Sequence, residues 1–193
     1  VFGKNDILCR ERSGKDLMKI RKNDIFLYGR KMLFQMLEIL YPRRCAVCDE
    51  IEVTGKGICP LCKDKVHVAG EPACKKCGKP LVDERKEFCT DCGKKHHVYT
   101  QGKAVFVYEG GIRNSMYRFK YGNKREYAEF YANAALEKYG VWLNKIKAEV
   151  LIPIPMYSRK KRLRGYNQAE VFARELGRKA GILVDEHLVR RVR

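Results

Sequence analysis

The sequence has no apolar run long enough to cross a bilayer. Its longest apolar-rich stretch, Met32 to Tyr41, is interrupted by Gln35 and Glu38, whereas a spanning helix needs about 20 apolar residues. Acidic residues are scarce too: 23 Asp and Glu stand against 41 Lys and Arg, a net charge of +18. This balance predicts a partner that carries phosphate groups, such as nucleic acid, a nucleotide or an anionic membrane face, with a solvated basic surface as the alternative.

The sequence also lacks a nucleotide-binding phosphate loop, because none of its Gly-Lys pairs is followed by Ser or Thr. Its histidines form no ligand pattern. His67 and His187 have no partner nearby in the sequence, and His96 and His97 are predicted to be exposed. We therefore assign no catalytic residue.

Residues 43–100 are poor in large apolar side chains, with 12 Val, Ile, Leu, Phe and Tyr among 58 residues. Ordering such a segment costs about 1.5 kcal/mol per residue, which so little apolar surface cannot offset. A structural zinc contributes on the order of 10–16 kcal/mol at neutral pH. We therefore predict that this region folds only with metal, so near-native circular dichroism after complete chelation would contradict the prediction.

What this region has instead is cysteine. Two Cys-x-x-Cys pairs complete one tetrahedral four-thiolate site and four pairs complete two, so we predict two zinc ions in a double zinc ribbon. The pairs are Cys45/Cys48, Cys59/Cys62, Cys74/Cys77 and Cys89/Cys92. Ten residues separate the first two pairs and eleven separate the last two, which favours sequential sites. The gap between the second and third pairs is also eleven, so other pairings stay open.

Two other cysteine chemistries compete with zinc. A disulfide framework is disfavoured because Cys-x-x-Cys pairs make poor structural disulfides and the sequence shows no secretory signal. An iron–sulfur cluster needs the same thiolates, but nearly equal pairs of knuckles are typical of zinc ribbons. Gly78 and Gly93 follow the second cysteine of their pairs and are predicted to allow tight turns. The thiols also predict a reducing compartment, and we expect a cytoplasmic protein.

The sequence divides into a basic N-terminal segment, an amphipathic helix, the metal module and the beginning of an α/β domain. These regions span residues 1–27, 28–42, 43–100 and 101–193. Pro42 ends the helix, which is predicted to pack on a neighbouring domain, with a membrane-surface role as the alternative. Cys9 is predicted to be a free thiol. Because the chain begins at Val1 and stops at Arg193 inside a basic stretch, we expect that either end is a cut.

The α/β region reads as strand, helix, helix, strand, loop, helix and strand, an order typical of a parallel sheet. The predicted elements are strand 103–109, helix 112–121, helix 125–139, strand 150–155, loop 156–165, helix 166–180 and strand 182–184. The continuously apolar strand 150–155 is predicted to be buried.

The predicted loop 156–165 carries five cations. Ligands in open α/β sheets bind beyond the carboxyl ends of strands, and helix N-termini hold anions, so this loop predicts a phosphate site. The candidate ligand-binding residues are Arg159, Lys160, Arg164, Gly165, Tyr166, Asn167 and Gln168. The alternative is a solvated basic loop in which Asn167 only caps the helix.

Several motifs together resemble the ComF family of bacterial competence proteins. They are the paired Cys-x-x-Cys motifs after a helix ending in Leu-Tyr-Pro, the segment RNSMYRFKYG at 113–122, the Pro-x-Pro strand end, and RGYNQAE at 164–170. The resemblance covers residues 30–193 and is sharpest in RGYNQ. It leaves residues 1–25 unexplained.

The resemblance implies a double zinc ribbon joined to a type I phosphoribosyltransferase-like domain. It also implies a cytoplasmic competence factor that handles single-stranded transforming DNA, peripheral to the inner membrane and partnered by a DNA translocase or helicase. The zinc ribbons and basic loops would then bind DNA. A scaffold that docks a helicase through the ribbons is a further alternative.

The chain departs from this family in one respect that concerns activity. A phosphoribosyltransferase needs two acidic residues at the end of a later strand, followed by a Thr/Gly-rich loop that holds the 5-phosphate. No threonine lies beyond Thr100, and the pair Asp185-Glu186 is followed by no such loop, so we predict that it forms a plain turn. We therefore expect no transferase activity from this chain. The alternative is a fragment of a phosphoribosyltransferase whose diphosphate-sugar loop lies beyond Arg193.

Overall fold

A computed structural model describes residue 36 and residues 40–191. The predicted segment 1–27, with Cys9, lies outside the described residues, as does most of the predicted helix 28–42. Four positions of that helix are described: Met36 and Leu40 are helical and exposed, and Tyr41 and Pro42 are not helical. The chain divides into two compact units, residues 1–41 and 42–193. Between residues 40 and 191, no helix is both long and apolar enough to cross a membrane.

The second unit is rich in helices in its described part, residues 42–191. The helices are α1 (Pro60–Lys63), α2 (Thr90–Lys94), α3 (Gly110–Tyr121), α4 (Tyr127–Lys145), α5 (Ser158–Arg164) and α6 (Gln168–Ala180). Two short strands, β1 (Val150–Leu151) and β2 (Leu183–Val184), form a parallel pair.

Helix α4 lies at the centre of the core. Its aromatic side chains and alanines recur at intervals of three and four residues, which places Tyr127, Phe130 and Tyr131 in the protein interior. The ring of Tyr131 lies 5.4 Å from that of Phe119 on α3. Its hydroxyl shares a 2.6 Å hydrogen bond with the buried Ser115 hydroxyl. The polar groups of this aromatic core are therefore paired.

The parallel pair β1–β2 is connected through α5 and α6, with Val150 opposite Leu183. Helix α6 approaches β2 closely at Gly177. A Cβ atom there would lie 2.5 Å from the Cγ2 atom of Val184 and 2.7 Å from the carbonyl oxygen of Ile182. Glycine therefore permits the helix–strand spacing. The parallel pairing predicted from the sequence is present in these two short strands.

The predicted strand 103–109 does not join this sheet. Its Phe106 forms a single antiparallel bridge with Val68, and the amide of Ala69 donates to the carbonyl of Val105 at 2.9 Å. The segment therefore pairs with the chain that leaves the second Cys-x-x-Cys pair. Its β-branched and aromatic residues indicated extended backbone correctly but carried no information on the partner.

The prediction for residues 150–165 was wrong in three places. Residues 150–155 are not a buried strand, because Val150, Ile152 and Ile154 are exposed. The strand ends at Leu151, because Pro153 and Pro155 have no N–H groups to extend a ladder. The predicted loop contains helix α5, whose sequence SRKKRLR has good helix formers and neither glycine nor proline. Gly165 ends this helix in the left-handed conformation, at φ +77°.

Other helix boundaries shift by a few residues. Helix α4 continues to Lys145, six residues past its predicted end, and α3 begins at Gly110 and ends before Gly122. Helix α6 begins at Gln168 because Asn167 caps it, its side chain accepting from the amide of Ala169 at 3.1 Å.

Candidate functional site

The eight paired cysteines come together as two separate tetrads. Within each tetrad all four sulfur atoms lie within 4.8 Å of one another. The sulfur atoms of Cys48 and Cys59 are 3.7 Å apart, as are those of Cys77 and Cys89. A tetrahedral zinc with Zn–S distances of about 2.3 Å places its sulfurs about 3.8 Å apart. The geometry therefore selects the sequential pairing, which the spacing left open.

Each tetrad is built by the same backbone unit. We name residues 44–62 the first cysteine module and residues 73–92 the second cysteine module. In the first, the amide of Cys45 donates to Glu50 O at 2.8 Å and the amide of Asp49 donates to Cys45 O at 2.9 Å. A short antiparallel bridge closes this knuckle, and α1 carries the last cysteine, Cys62.

The second cysteine module repeats this arrangement 29 residues later. The amide of Cys74 donates to Lys79 O at 2.8 Å, and the amide of Gly78 donates to Cys74 O at 2.8 Å. Asp49 and Gly78 occupy equivalent positions with φ of +68° and +74°. Gly78 therefore makes the predicted tight turn, whereas Gly93 lies inside α2 and makes none. The modules are an internal repeat.

One cysteine of each tetrad has a lowered pKa. Burial alone would raise the pKa of Cys45, but amides of Cys48, Cys59 and Val47 point at its sulfur and lower the pKa to about 7. Burial likewise opposes ionisation of Cys74, and backbone amides outweigh it and lower its pKa to about 6. The knuckle backbone therefore favours the thiolate form of both sulfurs, which is the form that binds metal.

The last cysteine of each tetrad shows the opposite shift. Burial, and then the neighbouring cysteine sulfurs, raise the pKa of Cys62 to about 12 and that of Cys92 to about 12. Four thiolates therefore repel one another at each centre unless a cation is among them. A divalent metal that prefers sulfur relieves this repulsion.

Comparison with known proteins supports the same conclusion. Residues 36–93 match the double zinc ribbon domain family. No curated protein and no solved structure matches the chain. The matched range includes all eight paired cysteines, and the two tetrads fit two zinc ions. Zinc(II) supplies charge neutralisation and four Zn–S bonds, while the knuckle amides orient the sulfurs.

The first cysteine module is part of the protein core. Ala46, between its first two ligands, is fully buried against α3 and α4. The Asp49 carboxylate accepts from the hydroxyl of Tyr127 at 2.7 Å and forms an ion pair with Lys124 at 2.9 Å. Arg118 donates to the carbonyl of Val47 at 2.8 Å. The knuckle is thus bonded to the helical core on several sides.

The second cysteine module lies largely in solvent. Lys75 and Lys76 replace the buried Ala-Val of the first knuckle; Lys75 is exposed and paired with Glu87. The ammonium of Lys76 lies 5.2 Å from the ring centroid of Tyr99. Gly78 packs directly on residues 102–104, where a Cβ atom would lie 2.7 Å from an amide nitrogen. This backbone contact anchors the module.

Most of the candidate ligand-binding residues make intramolecular contacts. The buried Tyr166 hydroxyl donates to Phe119 O, and the Gln168 amide donates to Lys120 O at 3.2 Å. Asn167 caps α6 and donates to Ile154 O at 3.0 Å. These side chains fasten the α5–α6 turn to the end of α3. Their predicted role in holding a phosphate stays a prediction.

Arg164 is held differently from its neighbours. Its guanidinium donates to Gln168 Oε1 at 3.3 Å and to the Tyr121 hydroxyl at 2.8 Å, and its central carbon lies 4.5 Å from the Tyr121 ring centroid. Gly165, the next residue, ends α5.

Arg159 and Lys160 line an open groove of about 1190 Å³. The groove lies between α5 and the chain that follows β2, and it also contains Arg162, Arg190, Arg191 and His187. Within residues 40–191, none of these five Arg and Lys side chains forms an ion pair. The lone carboxylate of the groove, Glu186, is paired with Arg174. We name this site the basic groove.

Sequence reasoning missed the C-terminal wall of the basic groove. Arg190 and Arg191 were visible as a basic stretch but gave no sign of lying near α5. The parallel pairing of β2 with β1 brings both segments to the same end of the sheet. Asp185 and Glu186 form the predicted turn, in which the amides of His187 and Leu188 donate to Asp185 Oδ1 at 2.8 and 3.0 Å.

Proposed function

We propose that this protein binds single-stranded DNA through the basic groove, on a fold stabilised by two zinc ions, and that it acts as a ComF-like competence factor. The observation that carries the proposal is the convergence on one opening of five cations that form no ion pair within residues 40–191. The resemblance of the cysteine motifs, the RNSMYRFKYG segment and RGYNQ to the ComF family supports it. Zinc ribbons are also common in nucleic-acid-binding proteins.

The charge distribution supports the basic groove as the phosphate-binding surface. Residues 101–193 have 20 Lys and Arg against nine Asp and Glu, an excess of 11 out of the chain's net +18. Eight thiolates and two zinc(II) ions together contribute a charge of −4, which lowers the net charge of the chain from +18 to +14. This change lies entirely in the cysteine modules. The positive field is therefore strongest away from the metal centres.

The position of the basic groove also suits a polyanion. It lies beyond the carboxyl ends of the parallel strands β1 and β2, where open α/β folds hold their ligands. Its cations are mostly exposed arginines, which contact phosphate oxygens through two N–H groups at once. A shallow basic opening of this kind accommodates a chain of phosphates better than one enclosed small molecule.

Salt-dependent binding tests the proposal. Zinc-loaded protein is titrated against a fluorescein-labelled (dT)12 strand by anisotropy at 50–300 mM salt. Each contacted phosphate contributes about −0.7 to the slope of log affinity against log salt. The triple variant Arg159→Gln, Lys160→Gln, Arg162→Gln should therefore lose about 2 in slope and bind at least tenfold more weakly at low salt.

The matched control removes the same charge elsewhere. Lys86→Gln, Lys94→Gln, Lys95→Gln changes three exposed lysines of the second cysteine module or its flank. This variant should keep the wild-type slope. Equal weakening by both triple variants would show binding to net charge alone, and absence of binding at 50 mM salt would remove the proposed function.

The cellular part of the proposal is cytoplasmic handling of transforming DNA, peripheral to the inner membrane, with a DNA translocase or helicase as partner. In a naturally transformable host that encodes this protein, replacing the gene by the groove triple variant should lower transformation frequency at unchanged protein level. The control triple variant should transform normally. Normal transformation by the groove variant would contradict a role of the basic groove in DNA uptake.

A phosphoribosyltransferase is the second candidate function. It is favoured by the unit in which β1 is followed by the basic helix α5, the helix α6 and the parallel strand β2. The threonine pattern of the chain argues against activity in these residues alone. Turnover of phosphoribosyl pyrophosphate by the zinc-loaded chain would support this candidate over the first.

A further inference from the structure

We infer that Tyr117, Tyr121 and Arg164 form a stacking platform for the bases of a single DNA strand whose phosphates lie in the basic groove. This inference rests on the proposed function and adds to it a second, uncharged binding element. None of the three residues is needed for the metal centres, and the two tyrosine rings contribute little to the core.

The first argument is exposure. Tyr117 and Tyr121 lie one helical turn apart on α3, and the two residues are 65% and 58% exposed. Their ring centroids are 5.0 Å apart with planes inclined at 45°. The neighbouring residue of the helix, Phe119, is 3% exposed. Helix α3 thus buries one aromatic face in the core and presents a second, paired aromatic face to solvent.

The second argument is the guanidinium that extends this pair. Arg164 lies 4.5 Å from the Tyr121 ring centroid and donates to its hydroxyl at 2.8 Å. A second bond to Gln168, at 3.3 Å, holds the guanidinium in place. Tyrosine rings and a fixed planar guanidinium are the surfaces on which bases of single strands stack. The three groups are therefore pre-ordered for flat ligands.

The third argument is continuity with the basic groove. Helix α5 begins with groove residues Arg159 and Lys160 and ends with Arg164. Lys160 and Arg164 are four residues apart, so they lie on the same face of α5, about 6 Å apart along its axis. A strand of a few nucleotides can therefore contact both sites. The cations would fix the phosphates and the tyrosines would hold the bases, the combination found in proteins that bind single strands without sequence preference.

The test separates bases from phosphates. Two fluorescein-labelled oligomers are compared at fixed salt: (dT)12, and a 12-unit abasic deoxyribose-phosphate chain with the same charge. The zinc-loaded wild type should bind (dT)12 at least tenfold more tightly, because each stacked base contributes about that factor. The Tyr117→Ala, Tyr121→Ala variant should bind the two oligomers equally while keeping the wild-type salt slope.

Three control variants sharpen this test. Tyr108→Ala removes a comparably exposed tyrosine, 63% exposed, that lies outside the pair and should change nothing. Tyr117→Phe, Tyr121→Phe keeps both rings and should retain the preference for bases. Arg164→Lys keeps the charge but not the planar group, and should lower (dT)12 affinity severalfold without lowering abasic-chain affinity.

The outcomes distinguish this inference from the proposed function. Equal binding of both oligomers by the wild type, or an unchanged preference in the double alanine variant, overturns the platform and leaves DNA binding by the basic groove intact. Loss of both oligomers with a reduced salt slope in that variant also overturns it, because the tyrosines would then act through folding or charge. If the wild type binds neither oligomer, both the stacking platform and DNA binding by the basic groove are contradicted.

Discussion

The two cysteine modules have the same backbone conformation in their knuckles, but the first is packed in the protein core and the second lies largely in solvent. In the first, Ala46 is fully buried between the ligands, and Asp49 is bonded to α4. In the second, the equivalent positions are Lys75, in solvent, and Gly78, which has no side chain to bond. Metal chemistry fixes the knuckle, since ligand spacing and amide geometry are the same in both. The residues between the ligands decide whether the knuckle belongs to the core.

The same contrast extends to the loop that joins the two pairs of ligands. Glu52 is buried and accepts from the amide of Gly57 at 3.1 Å and from Thr54. Burial opposes its ionisation, but these hydrogen bonds outweigh it and lower the pKa of Glu52. Leu81 occupies the equivalent place in the second module. The first loop is thus closed by a buried carboxylate that accepts from two loop residues. In the second loop the carboxylate of Asp83 is only partly buried and accepts from Arg85 alone, from its amide at 3.1 Å and from its guanidinium at 3.2 Å.

The largest expected effect comes from removing a metal ligand from each module. Cys45→Ser should unfold the second compact unit, because a structural zinc contributes on the order of 10–16 kcal/mol and a whole domain is stable by about 5–15 kcal/mol. Cys74→Ser should melt only the second module and leave α3–α6 folded. Amide hydrogen exchange and zinc content of both variants check this. Global unfolding by both would show that the modules are equally integrated.

The next effect comes from exchanging the residues between the ligands. Ala46→Lys with Val47→Lys places two ammonium groups in the core and should cost about 4 kcal/mol or more. The reciprocal pair, Lys75→Ala with Lys76→Val, changes mostly solvent-facing groups and should cost less than about 1 kcal/mol. Urea unfolding of the zinc-loaded variants measures both. Similar costs would contradict the contrast between the modules.

A smaller effect, common to both modules, is the pH dependence of zinc binding. The pKa values of Cys48 and Cys62 are raised, as are those of Cys77 and Cys92, chiefly by burial. At neutral pH at least two protons must therefore leave each tetrad when zinc binds. Zinc affinity should fall about 100-fold or more per pH unit as the pH decreases below 8.

Competition with a chelator between pH 6 and 8 measures this slope for each site. The Cys74→Ser variant isolates the first site, and the wild type gives both sites together, so the difference between the two gives the second site. A slope below two protons at either site would mean that its thiols are already ionised without metal.

The metal centres could be predicted from the sequence because their chemistry is local. Cysteine type and spacing defined the ligands, helix α4 followed from apolar residues at helical intervals, and Gly122 marked the end of α3. The partner of residues 103–109 could not be predicted, since an extended segment does not encode which strand it meets. Helix α5 was missed because its cations resembled a solvated loop.

The candidate ligand site shows the same limit. The RGYNQ segment has residue types suited to phosphate binding, yet Tyr166 and Gln168 donate to carbonyls at the end of α3. Those acceptors are more than forty residues away in the sequence. A local sequence motif does not show whether its polar side chains form hydrogen bonds with distant parts of the backbone. The exposed pair Tyr117 and Tyr121 was hidden for the opposite reason, because a tyrosine in a helix is equally suited to burial.

Helix α3 is bonded to the first cysteine module and also carries the exposed tyrosine pair. Arg118 donates to the carbonyl of Val47, between two ligands of the first tetrad, and its neighbour Tyr117 belongs to the outward aromatic pair. In the proposed complex, zinc in the first tetrad and the bases of the strand would therefore both contact elements bonded to helix α3. By thermodynamic linkage, whatever factor zinc adds to DNA affinity through this helix, DNA must return to zinc affinity.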